Sequence, residues 1–249
     1  MLYFLTYMYK KYGNKFMCFS PPVMLFTFII EFVFAFYTLW RYKWTTVTRL
    51  IVAMLLLLGL FQLTEYMICG GLGMGHAAWA RLGYIAITLL PALGLHLVAT
   101  LGKLKLKPLV IAAYVTAIAY VAYFAFAGQS IVGDVCTTNY AVFKVQGWGA
   151  AVYGFYYYAW LLVAMGIAAF ASNKKTAQAN VLHWMVFGYA SFILPTTAAN
   201  LVNPATLSGI PSIMCGFAVL LAIVLVWRVL PLSKTPLRQQ ATKVSRKHA

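Results

Sequence analysis

The chain has 249 residues, of which 63% are hydrophobic and only 9% are charged. Soluble domains carry about 25% charged residues, so this composition excludes a water-covered globular surface. The formal net charge of +16 does not indicate nucleic-acid binding, because the Lys and Arg residues concentrate in short connections and in the C-terminal tail. Composition therefore predicts an integral membrane protein that contacts membrane lipids and no nucleic acid.

Seven apolar stretches are long enough to cross a bilayer, whose hydrocarbon core of roughly 30 Å takes about 20 residues of helix. In chain order they are Pro21–Trp40, Val47–Cys69, Leu82–Leu101, Leu109–Ala127, Ala150–Ala171, Val181–Leu201 and Pro211–Leu230. The sequence predicts an all-α integral membrane seven-helix bundle over residues 21–232, between an N-terminal lead (1–20) and a basic cytoplasmic tail (233–249). Three lysines in the lead oppose translocation, and a translation start at Met17 would remove them.

Positive charges are divided unevenly between the two ends of these spans. One side carries fourteen of the Lys and Arg residues and the other side carries five. Cytoplasmic loops are the ones enriched in Lys and Arg. The predicted orientation is therefore N-terminus outside and C-terminus in the cytoplasm.

Polar side chains inside apolar spans are the first candidates for function, because the bilayer makes them costly. Glu31 lies mid-way along the first span, where its carboxyl must be protonated or paired. It is either a proton, cation or ligand site or a structural hydrogen-bonding group. Gln62 and Glu65 are three residues apart and share one helical face near the outer end of the second span. Arg81, at the start of the third span, can pair with Glu65 structurally or anchor a ligand.

Pro91 and Pro195 fall inside the third and sixth spans, where proline can kink a helix and expose carbonyl groups. Asn200 follows Pro195 on the outer side. Together, Glu31, Gln62, Glu65, Arg81 and Asn200 predict a ligand-binding pocket that faces outward.

His96 and His183 lie at similar depths near the cytoplasmic ends of the third and sixth spans, which permits bis-histidine haem ligation. Helix packing explains each histidine equally well, and no metal-ligand spacing is present. Cys69 and Cys136 fall on the oxidising outer side and predict a disulfide, with Cys18 and Cys215 as competitors.

Several kinds of chemistry are disfavoured by what the sequence lacks. The last span contains no lysine, which excludes a retinal Schiff base of the usual rhodopsin type. Only three acidic residues occur, too few for di-metal or calcium sites. No nucleophile or phosphate-loop motif is present, so the sequence favours a protein that is not an enzyme. Seventeen residues follow Leu232, and we expect no output domain there.

Four stretches give the chain its one family resemblance: LFQLTEY (60–66), WARLGYIAITLLPALGLHL (79–97), FGYASFILPTTAANLVNP (187–204) and GIPSIMCGFAVLL (209–221). Their order and their Trp, Arg, Pro and Asn positions resemble the seven-transmembrane sensory region at the N-terminus of bacterial histidine kinases. The resemblance implies ligand or membrane-state sensing in a bacterial cytoplasmic membrane. No kinase or other output domain follows, so signalling would pass to a separate cytoplasmic partner.

The leading hypothesis is thus a stand-alone seven-helix receptor or sensor for an unidentified small molecule. A small proton-linked transporter using Glu31 is the first alternative. A membrane enzyme or haem protein using His96 and His183 is the second alternative, and a structural subunit of a larger membrane complex is the third. The sequence alone does not choose among them.

Overall fold

The computed structural model describes residues 21–70, 76–126, 131–136, 141–145, 148–174, 178–203 and 209–233. The predicted lead and nearly all of the predicted tail fall outside these ranges. The elements in chain order are α1 (Pro21–Arg41), α2 (Thr46–Gly70), α3 (His76–Thr88), α4 (Leu90–Leu101), α5 (Lys107–Phe126), β1 (Ile131–Cys136), β2 (Ala141–Val145), α6 (Trp148–Ser172), α7 (Ala179–Val202), α8 (Ile210–Val224), a π-helical segment (Leu225–Val229) and α9 (Leu230–Ser233).

Seven helical spans within the described residues are long and apolar enough to cross a membrane, which confirms the predicted seven-helix architecture. Helices α3 and α4 together form the third span, and α8, the π segment and α9 form the seventh. The third span begins earlier than Leu82, because HAAWAR (76–81) continues the helix. Arg81 consequently lies in the second turn of α3 and not at the start of the span.

Helix α1 shows the inside-out pattern expected of a membrane helix. Its buried residues, Met24, Thr27, Glu31, Ala35 and Thr38, recur every three or four positions and form one stripe. The large apolar side chains of the helix lie on the other side and are exposed: Phe26, Ile29, Val33 and Phe36. Lipid solvates such an apolar exterior, whereas water would not.

The spans differ in how deeply they are packed. The third and seventh spans are mostly buried, while α5 exposes most of its surface. Helix α8 packs against α1, α2 and α7, and α4 packs against α2, α5, α6 and α7. The junction of α1, α2 and α8 is therefore interior, and the polar residues discussed below lie there.

The longest connection forms an antiparallel hairpin, which the sequence analysis did not foresee. Strands β1 and β2 pair Cys136 with Ala141 and Asp134 with Phe143, with an irregularity between Ile131 and Gly133. Both strands are rich in valine, whose β-branched side chain favours extended backbone. The hairpin packs against α2 and α3, so the all-α description holds for the membrane-spanning bundle and not for this connection.

Two spans depart from a continuous α-helix. The helix of the third span ends at Thr88 and restarts at Leu90, where Pro91 occupies the first turn of α4. This agrees with the break expected at Pro91. Helix α7, by contrast, continues unbroken through Pro195. The π segment in the last span was not predicted, and such segments occur frequently at functional sites.

Candidate functional site

Five polar residues from three helices meet inside the bundle, and we call them the acidic cluster. Helix α1 contributes Thr27 and Glu31, α2 contributes Gln62 and Glu65, and α8 contributes Ser212; all five are buried. Three of the five residues predicted for a ligand site are therefore brought together: Glu31, Gln62 and Glu65. Each lies on the bundle-facing stripe of its own helix, since positions 27 and 31, like 62 and 65, are one turn apart.

A side-chain hydrogen bond joins α1 to α2 within the cluster. Thr27 Oγ1 lies 3.1 Å from Oε1 of Gln62 and 2.9 Å from the Met24 carbonyl oxygen of its own helix, and its single proton serves one of these acceptors at a time. The Thr27 hydroxyl and the buried side-chain amide of Gln62 therefore form a polar contact between the two helices.

Glu31 is the least satisfied member of the cluster. Its side chain is 0% exposed, and neither carboxyl oxygen has a hydrogen-bond partner. The Cβ atom of Glu31 packs beside Gly59 of α2, and Phe32 closes over the same glycine. An ionised carboxylate in these surroundings would lack both water and a counter-charge. The resting bundle therefore holds a carboxyl group whose hydrogen-bonding capacity is unused.

Glu65 lies five residues before the C-terminal end of α2, beside α8. Its carboxyl interacts with the Ser212 side chain, but neither oxygen is reached by a donor in good hydrogen-bond geometry. Glu31 and Glu65 are close enough for their carboxyl groups to interact electrostatically, and Cys215 of α8 is near both. Two carboxyl groups consequently share one interior region, where a single positive charge or proton would be favoured by both.

The other two predicted site residues, Arg81 on α3 and Asn200 on α7, are half-buried. Neither carboxyl oxygen of Glu65 has a partner in good hydrogen-bond geometry, and the Glu65–Arg81 pair stays a prediction. Gln62 and Glu65, which belong to the predicted pocket, are only 2% and 1% exposed.

A group of packed aromatic side chains, which we call the aromatic wall, lies next to the cluster on α3, α5 and α6. It consists of Tyr84, Tyr120, Phe124, Tyr153 and Tyr156. The Tyr156 hydroxyl donates to the Thr88 carbonyl oxygen at 2.7 Å, and the hydroxyl groups of Thr88 and Tyr153 are 3.1 Å apart. This carbonyl belongs to the last residue of α3, at the helix break before Pro91. Tyr84 packs on Tyr153 and interacts electrostatically with Glu65, which links the wall to the cluster.

A small enclosed cavity lies beneath the cluster, in the middle of the bundle. Its volume is about 20 Å³, and its lining includes Met54, Tyr157, Tyr189 and Cys215. That volume accommodates about one water molecule and no organic ligand. The Tyr189 hydroxyl is buried and has no hydrogen-bond partner. The cavity is a packing defect inside the bundle, and it is too small to be the ligand pocket.

The two histidines considered for haem do not face a common space. His96 is half-buried, and its Nδ1 lies 3.1 Å from the Tyr114 hydroxyl on α5. His183 is exposed on α7. Among the described residues, no group of three or more His, Cys, Asp or Glu side chains is placed to hold a metal ion. The geometry gives haem ligation no support.

Cys69, next to the last residue of α2, is disulfide-bonded, and Cys215 is free and buried. Cys215 is thereby removed as a competitor, while Cys136 as the partner stays a prediction, since its side chain is not described.

We expect Cys136→Ser to make Cys69 reactive to alkylation under non-reducing conditions. Peptide mass spectrometry checks this, with Cys215→Ser as the control that leaves the bond intact. A Cys69 that stays blocked in Cys136→Ser contradicts the pairing.

Four members of the site environment were missed by sequence reasoning: Thr27, Ser212, Cys215 and Tyr84. Thr27 was detectable, because it lies one helical turn before Glu31 on the same stripe. Ser212, Cys215 and Tyr84 carry no such signal, because their proximity to Glu65 depends on how α8 and α3 pack against α2.

Comparison of the chain with protein-family models, with curated proteins and with solved structures found no match. The similarity to the sensory region of histidine kinases therefore remains a prediction from the sequence. Function has to be argued from the site itself.

Proposed function

We propose that this protein is a seven-helix membrane sensor of the receptor type, in which the acidic cluster is the responsive site. The observation that carries the proposal is the fully buried Glu31 carboxyl with no hydrogen-bond partner, beside a second buried carboxyl. Natural cores satisfy most buried polar groups, and exceptions call for an explanation. A group that is costly at rest and stabilised in another packing provides such an explanation.

The ligand suited to the cluster is a hydrogen-bond donor, either a proton or a small cation such as an ammonium group. The unused acceptors belong to Glu31 and Glu65, and their mutual electrostatic interaction favours added positive charge. The mechanism is a shift of population between two helix packings. A ligand drives that shift only by binding one packing more tightly than the other.

The last span is the route by which the cluster communicates with the opposite end of the bundle. Ser212 and Cys215 in α8 lie at the cluster, and the same helix continues into the π segment 225–229. Within that segment the Arg228 guanidinium lies 4.8 Å from the centre of the Trp184 ring on α7. Rotation or sliding of α8 at the cluster would change this contact, because one helix carries both.

The orientation belongs to the proposal as well. The described ends of the helices place Arg41, Lys43, Lys103, Lys105, Lys107, Lys174 and Arg228 at one end of the bundle. By the positive-inside rule this end faces the cytoplasm of a bacterial cell, and the N-terminal end of α1 faces outward. The acidic cluster then extends from mid-span, at Glu31, into the outer half of the bundle, and a cytoplasmic partner receives the signal.

Thermal unfolding of the purified protein tests the proposal with three probes: proton concentration, ammonium chloride and sodium chloride at matched ionic strength. A ligand that binds the folded state raises its stability, so the unfolding temperature should respond to at least one probe. We expect the response in wild type and in Thr38→Val, and its loss in Glu31→Met. A response of equal size in all three proteins contradicts a role for Glu31.

A small proton-linked transporter is the second candidate, and the position of Glu31 favours it. Nine residues lie between Glu31 and the residue at each end of α1, which places the carboxyl at mid-span. Ionisable groups there mark proton pathways in pumps and transporters. Proton flux is measured in proteoliposomes that contain a pH-sensitive dye. A transporter shows proton flux in wild type and loses it in Glu31→Met. A sensor shows the thermal response without flux.

A further inference from the structure

A second candidate site lies at the lysine-rich end of the bundle, far along the third span from the acidic cluster. An open cleft of about 630 Å³ separates the last turns of α4 from the first turns of α5. Its lining comes from α4, from the turn at 102–106 and from α5. Ligand pockets commonly measure about 300–1,000 Å³, so this cleft is of ligand size.

The cleft concentrates positive charge without a carboxylate to balance it. Lys103, Lys105 and Lys107 line it and are exposed, while the intervening Leu104 and Leu106 are half-buried. The alternation puts three ammonium groups on the open side and two leucines against the helices. No acidic residue is among the lining residues. An anion is the complementary ligand.

One wall of the cleft is polar and the other leads onto an apolar helix face. His96 and Tyr114 line the polar side, and their side chains are hydrogen-bonded to each other. Ile111 lines the apolar side and begins an exposed stripe on α5, in which Ile111, Val115 and Ile118 are 51%, 60% and 61% exposed. Residues spaced by four and three positions follow one helix face. The cleft is therefore continuous with a surface suited to an acyl chain.

The backbone conformation of the turn at 102–106 is a separate observation, and it concerns the position of Lys103. The N–H of Leu104 donates to the Ala99 carbonyl and the N–H of Lys103 donates to the Thr100 carbonyl, which closes α4 in a Schellman motif. The residue after the C-cap in this motif adopts a left-handed conformation and is usually glycine. Here it is Lys103, with φ of 51°. A charged side chain thus occupies a position where glycine would be less strained.

We infer that this cleft binds the phosphate headgroup of an anionic phospholipid, with Lys103, Lys105 and Lys107 on the phosphate and an acyl chain along Ile111, Val115 and Ile118. Free phosphate or another soluble anion shares the headgroup chemistry, but it would leave the apolar stripe unused. The inference is independent of the proposed sensory function, because neither Glu31 nor any other residue of the acidic cluster takes part.

Native mass spectrometry of the protein released from nanodiscs tests this inference. The discs contain zwitterionic lipid with a small fraction of phosphatidylglycerol, and bound phosphatidylglycerol is counted per protein. A basic residue near a membrane surface contributes roughly a fivefold change in affinity for anionic lipid, so Lys103→Gln, Lys105→Gln and Lys107→Gln together should weaken binding on the order of 100-fold. Arg41→Gln, Lys43→Gln and Lys174→Gln together form the control, since they remove the same charge from the same end outside the cleft.

A second variant separates binding from folding. Lys103→Gly should leave the unfolding temperature unchanged or raise it, because glycine relieves the left-handed backbone, and it should still reduce lipid binding several-fold. Equal losses in the cleft and control triple variants, or no loss in either, overturn the inference. Binding of inorganic phosphate in purely zwitterionic discs, with no preference for phosphatidylglycerol, overturns the lipid assignment.

Discussion

Glu31→Met is expected to stabilise the protein while abolishing its response to protons or cations. Methionine has nearly the shape of glutamate, and it removes two buried oxygen atoms that have no hydrogen-bond partner. Unsatisfied buried polar groups cost about 1–3 kcal/mol each, so we expect a gain of about that size in the free energy of unfolding. Thermal unfolding in detergent measures it, as a rise of roughly 2–12 °C.

Thr38→Val is the matched control for this prediction. Thr38 lies on the same stripe of α1 as Glu31, is 0% exposed, and has a hydroxyl group without a hydrogen-bond partner. Its replacement should stabilise the bundle by about 1 kcal/mol and leave the response intact, because only Glu31 belongs to the acidic cluster. If Glu31→Met lowers stability instead, the carboxyl is a structural hydrogen-bonding group, and the proposed role for the cluster fails.

Gly94→Ala is expected to destabilise the bundle by about 1–3 kcal/mol, the usual cost of overpacking a core. A Cβ atom at Gly94 of α4 would overlap the hydroxyl of Tyr189, a fully buried residue of α7. The tyrosine ring is rigid and surrounded by packed helices, so it cannot move aside cheaply. Chemical or thermal unfolding of the single variant gives the size of the effect.

Tyr189→Phe is the partner variant in this experiment. It removes the overlapping oxygen, and the next ring atom would lie 3.5 Å from the new Cβ, which is an ordinary contact. Since that hydroxyl has no hydrogen-bond partner, Tyr189→Phe alone should be neutral or stabilising. The double variant should therefore recover most of the stability lost in Gly94→Ala. Additive effects of the two changes would show that α4 and α7 do not approach at these residues.

Much of the fold follows from the distribution of apolar and charged residues. Each span needs about 20 apolar residues, and connections such as GKLKLKP (102–108) interrupt them clearly. The π segment at 225–229 and the start of the third span near Ala77 were not predictable in the same way. Both depend on which backbone hydrogen bonds survive packing, and LVWRV has nothing in its composition that distinguishes it from α-helix.

The site was predictable along each helix but not between helices. Spacing within α2 places Gln62 and Glu65 on one face, and the charge of Glu31 in an apolar span identifies it as unusual. Pairing of these residues with Arg81 or Asn200 required the relative rotation of α3 and α7, which the sequence does not encode in any short pattern. The contribution of Ser212 and Cys215 has the same origin, because it depends on α8 packing against α1 and α2.

Ser212, at the acidic cluster, lies near the start of α8, and the π segment follows directly after the end of that helix. The proposed mechanism requires the cluster and the π segment to be coupled. Hydrogen exchange measured by mass spectrometry across the last span in nanodiscs, at acidic and at alkaline pH, tests this most directly. We predict that the protection of Leu225–Val229, expressed relative to the intrinsic exchange rate at each pH, changes with pH in wild type and in Thr38→Val and stays constant in Glu31→Met. Protection that is independent of pH in wild type, or that changes equally in Glu31→Met, would contradict the coupling.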